Sequence, residues 1–182
     1  MNQDQKLSFI LGRRSVRVYS PGEVSDAAVK TMLEAAMAAP SAMTKDPWRF
    51  VVVRQPETLG KLAAVLPGGK MLAAASLAIT VCGDLEAAFE QNVGYLVQDC
   101  SAAVENLLLA AHALELGACW VGIYPSEAQM KQVRGLLELP GNILPLACIA
   151  VGHKGEELEP RTRFDAQKVH QERWSGVEKA KP

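Results

Sequence analysis

Apolar residues recur at helical spacing just after position 25. The residues at this spacing are Val29, Met32, Leu33 and Ala36. Ser25 or Asp26 stands where a side chain can cap the amides of the first turn, and Pro40 cannot continue a helix. The pattern therefore predicts a helix that begins after Ser25 and stops before Pro40.

Other segments are rich in β-branched and aromatic residues, which is typical of strands. They are 48–54 (WRFVVVR), 77–83 (LAITVCG), 119–123 and 146–151 (LACIAV). Pro47 and Pro56 bound the first of them, and Gly152 follows the last. Each segment is a predicted strand.

The main helical run lies between Gly94 and Leu116, and Gly117 is predicted to end it. Apolar residues occupy nearly every face of this run, so we expect a helix that is buried on all sides. A chain of this size rarely covers such a helix alone, which suggests a second subunit. Farther along, Ser126 opens the capping-box sequence S-E-A-Q, which predicts a helix to about Leu137.

The composition becomes polar and charged after Gly152, starting with HKGEELEPRTRFD. Such a segment cannot form a core of its own, so it either stays loose or packs on a partner. We expect residues 1–182 to form one domain, with about 155–182 as a C-terminal extension on the partner subunit.

Charge and cysteine content narrow the class of protein. The chain carries 19 basic and 20 acidic residues, too even a balance to favour nucleic acid or an anionic membrane as a partner. Its four cysteines lie among apolar residues and form no C-x-x-C pair, which argues against a zinc site or a disulfide scaffold. Unpaired thiols and a polar N-terminus without a signal-like core favour the cytoplasm.

The first candidate for chemistry is the cluster GRRSVRVY, with Arg13, Arg14, Ser15 and Arg17. Closely spaced guanidinium groups and a hydroxyl can hold a phosphate through charge-assisted hydrogen bonds. A solvated basic face is the simpler explanation for these residues alone. Arg161 and Arg163 form a second basic pair, which either completes that phosphate site or neutralises the neighbouring glutamates.

Two loops offer backbone groups to a flat ligand. Residues 39–50 (APSAMTKDPWRF) form a loop of small residues between a helix and a strand, where amides can approach a polar ring, although a tight connection explains them too. We interpret Trp48 as core. Residues 117–125 include Gly122, which permits close approach of a ligand, although core packing accounts for Trp120 and Val121 equally well.

Several common sites are not supported. The sequence has neither a G-x-G-x-x-G after a strand nor a G-x-x-x-x-G-K-S/T, and Ser41 lacks a G-x-S-x-G elbow. Its three histidines are too far apart to suggest metal ligands.

In this order and spacing, the segments resemble the nitroreductase family of flavoproteins. The matching stretches are RRSVR, APSAMTKDPWRF, DCSAAVENLLLAAHALELGACWVGI and RFDAQKVHQERW, which together run over nearly the whole chain. The resemblance implies an α+β fold with a central, mostly antiparallel sheet flanked by helices. It also implies an intertwined homodimer that binds two FMN molecules, each contacted by both chains.

The same resemblance implies roles for individual residues. Arg13, Arg14, Ser15, Arg17 and, from the far end, Arg163 would hold the FMN phosphate and ribityl chain. Pro40, Ser41, Ala42 and Thr44 would come from the second subunit to line the flavin ring. Lys70 would lie near the pyrimidine edge, where its charge would stabilise the reduced ring. Gly122, Ile123 and Tyr124 would give backbone contacts near flavin N5.

The activity implied is a ping-pong reaction, in which NADH or NADPH reduces the flavin and an oxidised acceptor then enters the same cleft. The acceptor would be a nitroaromatic, a quinone or another flat conjugated molecule, and no side chain is nominated as a catalytic acid or base. Alternatives are a flavin-binding or flavin-storing dimer, and a relative that dehalogenates its substrate or fragments flavin. The short interval from Gly83 to Gly94 leaves little room for the lid that such relatives carry.

Two positions depart from the family pattern P-S-x-x-N-x-Q-P-W. Thr44 replaces the asparagine, and Asp46 replaces the glutamine. Thr44 retains one hydroxyl for hydrogen bonding but lacks the paired amide geometry. A negative Asp46 facing the ring would disfavour the reduced flavin, whereas an Asp46 facing solvent would have no such effect.

Overall fold

The computed structural model describes residues 3–160 and 162–174; residues 1–2, Arg161 and residues 175–182 therefore lie outside the described residues. The helices are α1 (Gln3–Gly12), α2 (Asp26–Met37), α3 (Pro56–Val65), α4 (Val93–Ala113) and α5 (Glu127–Leu136). The strands are β1 (Tyr19–Ser20), β2 (Trp48–Val53), β3 (Leu77–Asp84), β4 (Leu116–Gly122) and β5 (Ile143–Lys154). Short 3-10 turns occupy Ala42–Thr44, Lys70–Ala74, Phe89–Gln91 and Ala166–Lys168.

The strands form a five-stranded sheet in which every strand pair is antiparallel. β5 is the longest strand; it pairs with β3 and with β4 along the same stretch and with the two-residue β1 at its end. β2 pairs with β3. This arrangement confirms the α+β fold with a central, mostly antiparallel sheet that the family resemblance implied.

Helices cover both faces of the sheet. Alternation along β3 directs Leu77, Ile79 and Val81 into a core with α2 and α4, whereas Ala78 joins a second core with α3 and α5. Trp48 is buried in the first core, as expected for a packing residue. Because both faces are covered, β3 is buried at nearly every position.

Helix α2 follows the prediction closely. The Ser25 hydroxyl accepts a hydrogen bond from the Ala28 amide, which caps the helix, and the helix ends at Met37, ahead of Pro40. The capping box at Ser126 forms only in part: its hydroxyl accepts from the Gln129 amide at 3.4 Å, while the Ser126 amide donates to the Ile123 carbonyl.

The predicted end of the central helix is wrong. Helix α4 ends at Ala113, and Glu115, with φ 60°, takes the left-handed conformation that reverses the chain. Gly117 lies inside β4 instead of terminating α4. A Cβ at Gly117 would stand 2.7 Å from Cγ1 of Val16. This glycine therefore allows Val16 to pack closely against β4 and does not serve to end a helix.

The last strand is longer than predicted at both ends, and it includes Pro145. Pro145 lies opposite Cys82, where the register between β3 and β5 shifts after Val81. A proline is tolerated at such an irregularity because no ladder hydrogen bond is required of it. Helices α1 and α3 were not predicted.

Burial of α4 on every side is only partly observed. From Asp99 to His112 every residue is at least half-covered by the described chain, whereas Tyr95 near its beginning is exposed. None of the described helices is long and apolar enough to cross a membrane. The four cysteines are buried and unpaired, as expected.

Candidate functional site

The arginine-rich segment leaves α1 at Gly12 and is fixed to the sheet by Val16. The Val16 side chain is buried, and its amide donates to the Ala118 carbonyl of β4 at 3.1 Å. Extended backbone sends successive side chains to opposite sides, so burial of Val16 turns Ser15 and Arg17 away from the core. The segment is thus held by its apolar member, with its polar members facing outward.

The structure brings together the five residues to which the resemblance gives the FMN phosphate and ribityl chain. They line one cavity of about 430 Å³, which we call the arginine pocket; its walls are Arg13, Arg14, Ser15, Arg17 and Arg163 with Ile10, Leu11, Glu156 and Leu158. Arg163 approaches from the segment after β5, far from the others in sequence.

Contacts within the chain leave most of the guanidinium donors of this pocket available. Arg13 pairs through Nε with Glu105 of α4 at 3.1 Å, and Arg14 donates to the Glu159 carbonyl. Arg17 donates to the Ser15 carbonyl at 3.2 Å. Arg163 forms no ion pair among the described residues.

Glu156 is a member of the pocket that the sequence did not reveal. Its Oε1 accepts the backbone amides of Arg17 at 2.6 Å and Val18 at 3.1 Å. The contact ties the segment after β5 to the arginine segment and places one negative charge among the guanidinium groups. The two partners are separated by 139 residues, and no local pattern links them.

Buried Cys119 and half-buried Tyr19 lie beneath the arginine segment. Burial raises the pKa of the Cys119 thiol, against the opposing effect of the Arg17 and Arg13 charges. Burial likewise raises the pKa of Tyr19 above its usual range, and its hydroxyl donates to the Val16 carbonyl at 2.9 Å. Both groups are therefore neutral near pH 7 and add no negative charge beside the arginines.

Lys70 lines a second cavity, which shares Arg17 with the arginine pocket. This cavity measures about 490 Å³, and its other walls are Pro67, Gly68 and Met71. Buried Leu72 anchors the 3-10 turn, while Lys70 at its beginning is exposed. Because Arg17 borders both cavities, the positive surface runs from the arginine pocket to Lys70.

At the end of β4, Gly122 leaves free space beside the backbone. A Cβ at Gly122 would meet nothing within 4 Å. The amides of Ile123 and Tyr124 instead donate to the Leu146 carbonyl at 3.0 and 3.1 Å, and the Ile123 side chain is buried. Of these three residues, Gly122 and Tyr124 are exposed and Ile123 is buried.

The loop of Pro40, Ser41, Ala42 and Thr44 borders neither cavity in the single chain. Asp46, whose orientation the sequence left open, is engaged inside this loop: its Oδ1 accepts the Ser41 hydroxyl at 2.6 Å. The Ala42 amide donates to Asp99 of α4 at 2.9 Å. The loop therefore has a defined shape set by carboxylates on either side of it.

The arginine pocket suits a phosphate ester. Four guanidinium groups and the Ser15 hydroxyl surround one cavity, and this set of donors matches the three acceptor oxygens and the negative charge of such a group. Among the described residues, no three or more histidines, cysteines, aspartates or glutamates come together in a group that could hold a metal ion.

Known proteins resemble the chain along most of its length. The family model described as the Nitroreductase family matches residues 10–78 and 69–153. A protein of Archaeoglobus fulgidus, named as a candidate NADH dehydrogenase/NAD(P)H nitroreductase, is 42% identical over 94% of this chain and 99% of its own length.

Solved structures agree with this match. An FMN-dependent nitroreductase from Clostridium difficile superposes with a TM-score of 0.85 at 30% identity, covering 92% of this chain and 99% of that one. A candidate nitroreductase from Desulfovibrio desulfuricans, solved in complex with FMN, gives a TM-score of 0.81 at 35% identity, covering 96% of this chain and 100% of that one. On the fold and these matches, the chain belongs to the nitroreductase family.

Proposed function

We propose that this protein is an FMN-dependent oxidoreductase that takes electrons from NADH or NADPH and passes them to a flat conjugated acceptor, such as a nitroaromatic or a quinone. One observation carries the proposal: the arginine pocket gathers four arginines and Ser15 and shares Arg17 with the cavity of Lys70. FMN presents a phosphate at one end and a polar ring at the other, which this continuous positive surface suits. The complex of the Desulfovibrio relative with FMN supports it.

The residues of the arginine pocket would hold the phosphate and ribityl chain. Arg13 and Arg14 are steadied by Glu105 and the Glu159 carbonyl, so they are positioned before a ligand arrives. Such preorganisation lowers the entropy cost of binding. At the other end, Gly122 would let the ring approach the backbone at the end of β4, because its face is open.

Bound FMN would supply the chemistry, since it accepts a hydride from a nicotinamide and returns electrons to an acceptor. Lys70 would lie near the pyrimidine edge, where its positive charge favours the reduced, anionic ring. The protein's part is thus to bind, orient and tune, and we assign no acid or base to a side chain.

We also propose a cytoplasmic homodimer in which Pro40, Ser41, Ala42 and Thr44 line the flavin ring of the other subunit. Large apolar side chains without cover in the single chain support it: Leu7 53%, Ile10 55% and Leu11 51% exposed on α1, and Phe164 78% and Trp174 83% exposed near the C-terminus. Such surface normally marks an interface. The segment from 155 onward would pack on the partner, with residues 1–182 forming one domain.

Steady-state turnover tests the function. The protein is loaded with FMN, unbound flavin is removed, and oxidation of NADH and of NADPH is followed with and without a quinone or a nitroaromatic. We expect acceptor-dependent oxidation of at least one nucleotide. Retention of FMN without turnover would favour the flavin-storing dimer instead, and failure to retain FMN would contradict the proposal.

A further inference from the structure

Loop 40–46 uses its own polar groups to hold its shape. The Ser41 hydroxyl donates to the Asp46 carboxylate at 2.6 Å and accepts the Asp46 amide at 3.0 Å. The amides of Thr44 and Lys45 donate back to the carbonyls of Ser41 and Ala42, both at 3.2 Å. The Ser41 hydroxyl is therefore committed to the loop.

Asp99 supports the same loop from behind. It is a carboxylate in the otherwise largely apolar interior of α4, only 5% exposed. Its Oδ1 accepts the Ala42 amide at 2.9 Å, while its Oδ2 is buried without a hydrogen-bond partner among the described residues. A buried carboxylate is costly to desolvate, and the one hydrogen bond that Asp99 makes with the described residues is to the loop.

Held at Ser41 and Ala42, the loop turns its middle residues outward. Met43 and Thr44 have φ of 51° and 54°, a left-handed conformation that non-glycine residues keep only when their surroundings enforce it. The Met43 side chain is 73% exposed. The Thr44 hydroxyl makes no hydrogen bond within the described residues and is the one side-chain hydroxyl of the loop left for a ligand.

We infer that Asp99 is a positioning residue for the flavin: by holding the Ala42 amide it fixes loop 40–46 so that the Thr44 hydroxyl faces the flavin ring of the partner subunit. The inference rests on the proposed function. It assigns Ser41 and Ala42 to the shape of the loop and leaves hydrogen bonding to the ring to Thr44.

Hydrogen exchange of the Ala42 amide, measured by NMR on the FMN-free protein, tests the contact without any turnover. Asp99→Asn keeps a carbonyl oxygen that can accept this amide, and Asp99→Ala removes it. We expect Ala42 to stay protected in Asp99→Asn and to lose protection in Asp99→Ala. Equal protection in both variants would overturn the inference.

The midpoint potential of bound FMN and the separate values of KM and kcat test the consequence for the site. Asn106→Ala is the matched control, because Asn106 lies on the same helix and its side chain likewise hydrogen-bonds to the backbone of another element, donating to the Ala35 carbonyl at 3.1 Å. We expect Asp99→Ala to shift the potential and to lower kcat/KM by roughly tenfold to a hundredfold, as small misplacements of a positioned group do. Asn106→Ala should do neither.

Thr44→Val removes the hydroxyl without touching Asp99, so it tests the inference even if Asp99→Ala does not fold. It should shift the potential while Ala42 stays protected; an unchanged potential would overturn the inference. The inference would also be overturned if Asn106→Ala shifted the potential as much as Asp99→Ala does. If wild-type protein retains no FMN, the proposed function fails, whereas normal FMN reduction with unaffected Asp99 variants refutes the positioning role alone.

Discussion

Replacing Arg17 with alanine should weaken FMN binding while leaving the fold nearly unchanged. The Arg17 guanidinium borders both cavities, and its one hydrogen bond to the described residues is to the Ser15 carbonyl. The backbone amide of Arg17, which Glu156 holds at 2.6 Å, survives the substitution. The change therefore removes a phosphate donor without releasing the segment.

The size of the effect follows from the hydrogen bond that the Arg17 guanidinium would donate to the phosphate. A hydrogen bond to a charged group contributes about 1.5–3 kcal/mol, which corresponds to a dissociation constant about 10- to 150-fold higher. Arg17 is exposed, so screening places the weakening toward the lower end and reduces it further in high salt. The free energy of unfolding should change by less than about 0.5 kcal/mol, as for most surface substitutions.

Fluorescence titration of FMN into FMN-free protein measures this directly. Arg54→Ala is the matched control, since it removes the same charge from a residue that borders neither cavity and pairs with Asp26. Unchanged FMN affinity in both Arg17→Ala and Arg163→Ala would refute the phosphate assignment. An equal reduction of affinity in Arg54→Ala would show a general charge effect instead.

Further predictions concern packing, thiols and the ring. Gly83→Ala should destabilise the fold by about 1–3 kcal/mol, because its Cβ would stand 2.4 Å from the Leu96 side chain. Gly60→Ala, on a helix with nothing within 4 Å of the new Cβ, should stabilise the fold by about 0.5–1 kcal/mol. Chemical denaturation measures both free energies of unfolding, and equal effects would refute the steric argument. Burial raises the pKa of the Cys82, Cys100 and Cys148 thiols from 9.0 to about 12. These thiols therefore ionise at lower pH in the unfolded chain, and the free energy of unfolding should fall as pH rises from about 9 toward 12. A free energy of unfolding independent of pH above 9 would contradict this. All four buried thiols should react with a thiol reagent only on unfolding, and rapid labelling of native protein would be inconsistent with their burial. Lys70→Gln should lower the midpoint potential of bound FMN, because the reduced ring would have one positive charge fewer beside it; a raised or unchanged potential would argue against Lys70 at the ring.

Local signals in the sequence predicted the parts of the fold that are determined locally. The Ser25 cap and Pro40 bracket α2, and dense β-branched residues identify β2. The end of α4 was misplaced because the mostly apolar residues that follow it are compatible with a helix and with a strand. Gly117 likewise fits both a helix end and the interior of a strand. Helix α1 was missed because its apolar residues do not follow the spacing of one helical face; several of them, such as Ile10 and Leu11, are exposed in the single chain.

In the candidate site, too, residues clustered in the sequence could be predicted, whereas contacts between distant segments could not. Clustering of Arg13, Arg14 and Arg17 is visible in the sequence, which left open whether Arg163 joins them; only the family resemblance favoured that alternative. Contacts that join distant segments left no sequence signal, as for Glu156 with the Arg17 amide. Asp99 was visible as a charge within an apolar helix, yet its contact with Ala42 across 57 residues depends on the fold.

Anaerobic reduction of the flavin tests the central claim most directly. The protein is loaded with FMN, freed of unbound flavin and oxygen, and mixed with NADH or NADPH while its visible absorbance is recorded. The account predicts that the absorbance of the oxidised flavin bleaches with at least one nucleotide and returns when a quinone or a nitroaromatic is added. A protein that binds no FMN, or whose bound FMN stays oxidised with both nucleotides, would contradict it.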